Sequence, residues 1–420
     1  MTPCEELCAL SLTHFLEAKV DSACAEHVRF NLQVCNASRS SQGTNLNLDM
    51  QEVDRLDEGW PRAGGSVSPT NPLGGKGESV ARVKTPTMRN WVIVGMVWVC
   101  FFTTGCSTSD EEQEGTGVML VANRGAATIA HFKRATTAEG SILPQVYLRG
   151  ANTRLAQPGQ LSYDATLHRL IVPNGGDNSI LFFDDVLNSA EGVPPKRFLT
   201  GVGTQLSRPV AVHLDTAHDE LYVANGGSNS VVVFSSASTI DGATAPLRTL
   251  SGSNTKISGI SAMWLDSSTD RLWLADPVGG ALLVFNNAST INGNVPPNRY
   301  IIGNNTRLLS PQSLLFINKQ LFVGCTSSIL RFDNSDTLDG NVAPTIVIEG
   351  GATLLSRPQQ MVLRPDKDEL YVVDAGAAAV LVFEKPETFT GAPVPLRRIQ
   401  GAQTGFADPV GLVLDLTTSE

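Results

Sequence analysis

Basic residues are too few for this chain to grip nucleic acid by charge. Lys and Arg number 31 against 41 Asp and Glu, a formal net charge of −10, whereas a phosphate backbone requires a basic face. Cysteine is nearly missing from the body of the chain. Of seven Cys, Cys4, Cys8, Cys24 and Cys35 come first, Cys100 and Cys106 follow, and Cys325 alone lies beyond. Residues past 106 therefore cannot build a disulfide scaffold or a paired-cysteine zinc site. The spacing of the first four cysteines fits no zinc pattern either. Aromatics are scarce (6%) and charged residues sparse (17%), yet apolar residues reach 42%, which excludes wholesale disorder and suffices for a core. No stretch of 118–420 keeps a 3.6-residue apolar period, which excludes a helical solenoid. Gly (38) and Pro (23) are plentiful, as in a chain rich in turns.

One long apolar run is present, Trp91 to Phe102. Twelve residues of helix span ~18 Å, short of a ~30 Å hydrocarbon core. Met88-Arg89-Asn90 precede the run and Thr103-Thr104-Gly105-Cys106-Ser107 follow it. This order resembles a bacterial lipoprotein signal, with Thr103 where that family prefers Leu. The resemblance implies a signal peptide over 88–105, lipidation of Cys106, and membrane attachment through that N-terminal lipid. Ser107 in place of Asp implies the outer membrane, on its periplasmic or its extracellular face. Residues 106–117 are acidic and lack large apolar side chains, so they read as a solvated tether. Residues 1–87 lie upstream of a serviceable start at Met88. They read as an over-extended reading frame or as a disordered extension removed on export.

The body of the chain repeats itself. Phe132, Phe183, Phe234, Phe285, Phe332 and Phe383 recur at steps of 51, 51, 51, 47 and 51 residues. Gly150, Gly201, Gly252, Gly303, Gly350 and Gly401 recur at the same steps. Two markers sharing one register and one deletion identify a repeat. Within one unit, Pro209–Leu214 reads as strand A and Glu220–Ala224 as strand B. Ser230–Phe234 reads as strand C and Pro246–Leu250 as strand D. Asn225-Gly226-Gly227-Ser228-Asn229 is the B–C hairpin loop, where Asn and Gly accept positive φ. Four short antiparallel strands per ~50 residues make a propeller blade. The first repeat begins with strand B at Val118, and the chain ends with strand A at 409–415. The expected fold is therefore an all-β, six-bladed β-propeller over 118–420. The C-terminal strand joins the first blade, so the ring closes as three strands plus one and leaves no open edge.

Leu221 to Val231 and Leu170 to Ile180 resemble the NHL and YVTN β-propeller repeats, with a longer period here because the C–D loop is longer. The resemblance implies that B–C and D–A loops gather on one face around a central channel. The B–C loops open with Asn123, Asn174, Asn225, Asp276, Cys325 and Asp374. That collar is a candidate top-face binding site for a polar ligand or for calcium, or else a set of turn formers that bond their own hairpins. Cys325 is either a reactive thiol or a small packing residue. Arg208 and Arg357, in the D–A loops, are candidate clamps for a carboxylate or phosphate, or solvated partners of nearby Asp. His213 lies on an inner strand, where the matching positions are taken as Ser162, Trp264, Phe316, Leu363 and Val413. No His cluster for a transition metal results. Asp164, Asp215, Asp266 and Asp415 read as formers of the A–B turns. No blade is enriched in His, Asp and Glu, so the leading expectation is a binding or scaffold module for a protein, peptide or glycan, with no catalytic residues and no cofactor. The alternative is a calcium-dependent lactonase or esterase-like hydrolase with its site in the channel. A quinone-dependent dehydrogenase lacks its Trp-docking pattern.

Overall fold

Strands B and C of every repeat are apolar on both faces, which suits strands sandwiched between neighbouring sheets. The computed structural model describes residues 116–417. Residues 1–87, the signal at 88–105, Cys106 and all but the last two tether residues lie outside the described residues. Six four-stranded antiparallel sheets form the described chain, as the repeat predicts. β1 (Val118–Asn123), β2 (Thr128–Lys133) and β3 (Val146–Leu148) begin blade 1. Blade 2 is β4 (Ser162–Asp164), β5 (Arg169–Asn174), β6 (Ser179–Phe183) and β7 (Arg197–Leu199). Blade 3 is β8 (Pro209–Asp215), β9 (Glu220–Asn225), β10 (Ser230–Ser235) and β11 (Arg248–Leu250). Blade 4 is β12 (Ala262–Asp266), β13 (Arg271–Asp276), β14 (Ala281–Asn286) and β15 (Arg299–Ile302). Blade 5 is β16 (Ser313–Ile317), β17 (Gln320–Gly324), β18 (Ser328–Phe332) and β19 (Ile346–Glu349). Blade 6 is β20 (Pro358–Arg364), β21 (Glu369–Asp374), β22 (Ala379–Glu384) and β23 (Arg397–Gln400). The last strand, β24 (Pro409–Asp415), returns to blade 1 and pairs antiparallel with β1 from Val118↔Asp415 to Asn123↔Pro409. The tail thus supplies the strand the first repeat lacks.

The core is divided into six apolar clusters, one at each seam between blades. On β1, Val118, Leu120 and Ala122 face blade 2, while Met119 and Val121 face blade 6. The six marker phenylalanines are all buried within these seams. The marker glycines have φ between 91° and 131°, a backbone state that side chains disfavour. Three residues after each stands a buried Thr, and Thr153, Thr204, Thr255, Thr306, Thr353 and Thr404 all donate through Oγ1 to the carbonyl of that Gly at 2.6–2.8 Å.

Outer strands are tied to the next blade by arginines on strand D. Arg197 Nη1 donates to Ile240 O at 2.9 Å and Arg299 Nη1 to Ser335 O at 2.7 Å. Backbone adds to this at four seams, where Leu199, Leu250, Ile301 and Ile399 bridge to Gly242, Gly293, Gly340 and Gly140 of the following blade. At the seam between blades 1 and 2, Tyr163 donates to Asp415 Oδ2 at 2.5 Å and His168 Nδ1 lies 2.9 Å from the same oxygen. Burial opposes ionisation of Asp415, but bonds from Thr417, Tyr163 and His168 hold its carboxyl below the usual range.

Two sequence expectations need correction. Strand D of blade 3 starts at Arg248, because Pro246 has no N–H for the ladder and Leu247 is exposed. His213 stands opposite Tyr222, and the residues in that register in blades 5 and 6 are Leu315 and Val362, not Phe316 and Leu363. Leu314-Leu315-Phe316 and Met361-Val362-Leu363 are apolar throughout, so their sequence carries no phase.

Candidate functional site

The collar side chains lie where the hairpins place them, at the last residue of strand B, and Asn123, Asn174, Asn225, Asp276 and Asp374 are fully buried. Each accepts a bond from a backbone N–H in the loop leading to strand A of its own blade. The donors are Ala407, Ala156, Ser207, Ser258 and Ser356, at 3.3, 2.5, 3.0, 2.8 and 2.7 Å. Where the collar residue is Asn, its Nδ2 donates to the hydroxyl five residues on: Thr128, Ser179 and Ser230. Where it is Asp, that position is Ala281 or Ala379, and the carboxylate instead accepts from Gly279 N or Ala377 N. The collar oxygens are thus engaged by N–H donors of their own blades. Among the described residues, no group of three or more His, Cys, Asp or Glu stands together as a metal site.

Cys325 is buried in the seam between blades 4 and 5. Burial pushes its thiol up to about 12, so it stays protonated at neutral pH and packs as a small apolar residue. Burial likewise lowers His213 to about 4, with Asp215 opposing weakly, and the ring lies beside Trp264 at a centroid distance of 6.3 Å. Asp164, Asp215 and Asp266 each accept backbone N–H bonds in the A–B turn, whereas Asp415 stands at the end of β24, with no A–B turn to form, and accepts from Thr417 N.

What the loops enclose is a bowl of about 330 Å³ at the channel mouth. Its rim carries Arg124, Gln157 and Arg208. Its depth carries Gln160, Ser261, Gln312 and Gln359, and its walls are largely Pro158, Pro209, Val210, Ile260, Pro277 and Val410. Arg208 lines the bowl, and its only side-chain bond among the described residues is Nη2 to Gly226 O at 3.3 Å. Arg357 is turned to Asp408 Oδ1 at 2.5 Å, and Arg124 Nε reaches Asp408 Oδ2 at 2.7 Å. One carboxylate therefore holds two guanidiniums. Beneath the rim the channel is crossed by amides. Gln160 Nε2 of blade 2 donates to Gln312 O of blade 5, on the far side of the ring, at 2.7 Å. Gln360 of blade 6 accepts from Leu161 N and Leu412 N and donates to Leu161 O.

Sequence reasoning missed Arg124, Asp408 and the glutamines. A signal existed: Arg124 stands where the other blades have Gly175, Gly226, Pro277, Thr326 and Ala375. A binding residue departs from its repeat in this way.

No family model matches the chain, and no curated protein matches it. Solved structures do. A chain of the nidogen/laminin complex aligns with a TM-score of 0.50 at 14% identity, covering 72% of this chain and 100% of that one. A Bacteroides caccae protein of unknown function aligns at 0.49 and 7% identity, over 71% and 98%. A Bacteroides fragilis protein named as a candidate 6-phosphogluconolactonase aligns at 0.47 and 14% identity, over 74% and 99%. At such identities the shared property is the fold, and by fold this chain is a six-bladed β-propeller.

Proposed function

We infer that the protein is a binding module of the cell envelope, related to NHL and YVTN propellers, whose top-face bowl captures a glycan, peptide or protein segment. A lipid on Cys106 anchors it to the outer membrane. The observation that carries the reading is the bowl itself: a mixed polar and apolar pocket, open to the loops and obstructed below by amide bridges between non-neighbouring blades. The hydrolase alternative gains no support from the donor set, because the collar oxygens are occupied by N–H groups.

A panel of glycans and peptides screened by calorimetry tests the reading, with Pro277→Trp as the plugged variant. That wall position holds Arg, Gly, Thr or Ala in other blades, so the substitution leaves the fold intact. Binding by the native chain and its loss in Pro277→Trp is the expected result. Stoichiometric calcium with lactone turnover, or binding that ignores the plug, contradicts it. Mass analysis of the N-terminal peptide, against Cys106→Ala, tests the lipid anchor.

A further inference from the structure

The bowl is chemically lopsided. Resting on the reading of the bowl as a binding site, we propose that it holds a hexuronate unit of an acidic glycan, with the carboxylate at Arg208 and Arg124 and the hydroxyls on the glutamine carbonyls.

The charge argument comes first. In a chain of net charge −10, the only charged side chains lining the bowl, among the described residues, are Arg124 and Arg208. Asp408 neutralises Arg124 in part but is shared with Arg357. Arg208 has no carboxylate partner among the described residues; it bonds one carbonyl, at 3.3 Å. The nearby carboxylates of Asp276 and Asp374 are fully buried, saturated by N–H donors, and do not line the cavity. An anionic group is the complement of this rim.

The acceptors come second. Gln160 and Gln359 each place one Nε2 proton on a protein carbonyl, of Gln312 and Pro358, and Gln312 Nε2 bonds Ser310 O and Oγ. Their Oε1 atoms accept no bond among the described residues, so the depth of the bowl offers acceptors that want donors. An ammonium leaving water would need a counter-charge, and no acidic side chain lines the bowl. Neutral hydroxyls need none. The Pro and Val walls suit the C–H faces of a sugar ring. A volume of about 330 Å³ lies at the small end of ligand sites, which run roughly 300–1,000 Å³. A polyhydroxylated ring bearing one carboxylate meets all four conditions.

The test is calorimetry on the protein with di-uronates of galacturonate, glucuronate, mannuronate and guluronate, their methyl esters and their neutral parents. At least one acid binds, and its ester binds about tenfold more weakly or worse, the scale of a lost charge-assisted contact. Arg208→Gln weakens the acid to a similar degree and Arg208→Lys weakens it less. Arg307→Gln, at an exposed pair with Glu349 outside the bowl lining, changes nothing. If ester and acid bind alike, or Arg208→Gln binds as the native chain does, the carboxylate assignment falls, while the binding-module reading stands provided Pro277→Trp abolishes binding. If no uronate binds and a zwitterionic peptide does, the sugar-acid assignment is overturned and the bowl keeps its role. If nothing binds in a manner sensitive to the plug, both fall.

Discussion

Replacing His131 with Phe should flatten the acid sensitivity of the fold. His131 sits on β2, pairs with Val146, and is buried on the side facing blade 2. The same slot in blade 5 holds Arg331, which pairs with Ile346 and donates to Glu387 O of the next blade. Blade 1 has the imidazole there instead, and neither ring nitrogen finds a partner among the described residues. Burial, with Lys133 nearby adding repulsion, lowers His131 to about 4 from an ordinary 6.5. The unfolded chain therefore binds this proton more readily than the folded one. Stability is complete above about pH 6.5, declines as pH falls toward 4, and stops declining below that, where both states are protonated. With 1.36 kcal/mol per unit, the loss from this one group is about 2–3 kcal/mol by pH 4.5. His213, also lowered to about 4, contributes a second loss of the same sign and window. Depressed carboxyls such as Asp415 and Asp366 act lower, since their stabilisation is lost only as pH falls past the ordinary carboxylate range. Phe is the residue at the matching place in blade 2, Phe182, so the seam accommodates it. Urea unfolding at pH 7, 6, 5 and 4.5 measures the profile. The variant should lose about 2–3 kcal/mol less than the native chain between pH 7 and 4.5. Parallel profiles would refute the account of this seam.

Two further outcomes follow from the collar. Asp276→Ala strands the N–H groups of Ser258, Val278 and Gly279 inside the loop and should cost about 2–4 kcal/mol by urea unfolding, whereas a solvent-facing collar would tolerate the change. The Cys325 thiol, pushed up to about 12, should resist iodoacetamide at pH 8 in the folded chain and react on denaturation, as read by mass mapping of its peptide. Rapid alkylation of the native protein would contradict the burial.

Most of the fold was legible because each marker answers a local physical demand. The recurring Gly supplies φ near 91–131°, and the recurring Phe fills a seam. Strand B at Val118 and strand A at the tail announced the closure by simple complement. The collar positions were legible too, but their role was not. Their partners are backbone N–H groups 17 or 18 residues back in four blades, and 284 residues away in blade 1, where the ring closes. The bowl was the least legible part. Gln160 and Gln312 are 152 positions apart and meet only because the ring brings blades 2 and 5 face to face. Arg124 and Asp408 lie 284 apart and meet because β24 returns to pair with β1 in the same blade. Neighbouring sequence carries no trace of such contacts. Departure from the repeat average was the available sign, and it pointed to Arg124 and the glutamines better than to the collar.

Ring closure by the tail is the claim on which the bowl, the seams and the proposed ligand all stand, and amide hydrogen exchange on the native protein tests it most directly. β24 bonds along the whole of β1, so amides of 410–414 should open together with those of 119–122, at one free energy close to that of global unfolding. Exchange of 410–414 at the rate of a free tail, while 118–133 stays protected, would contradict the closed six-bladed ring.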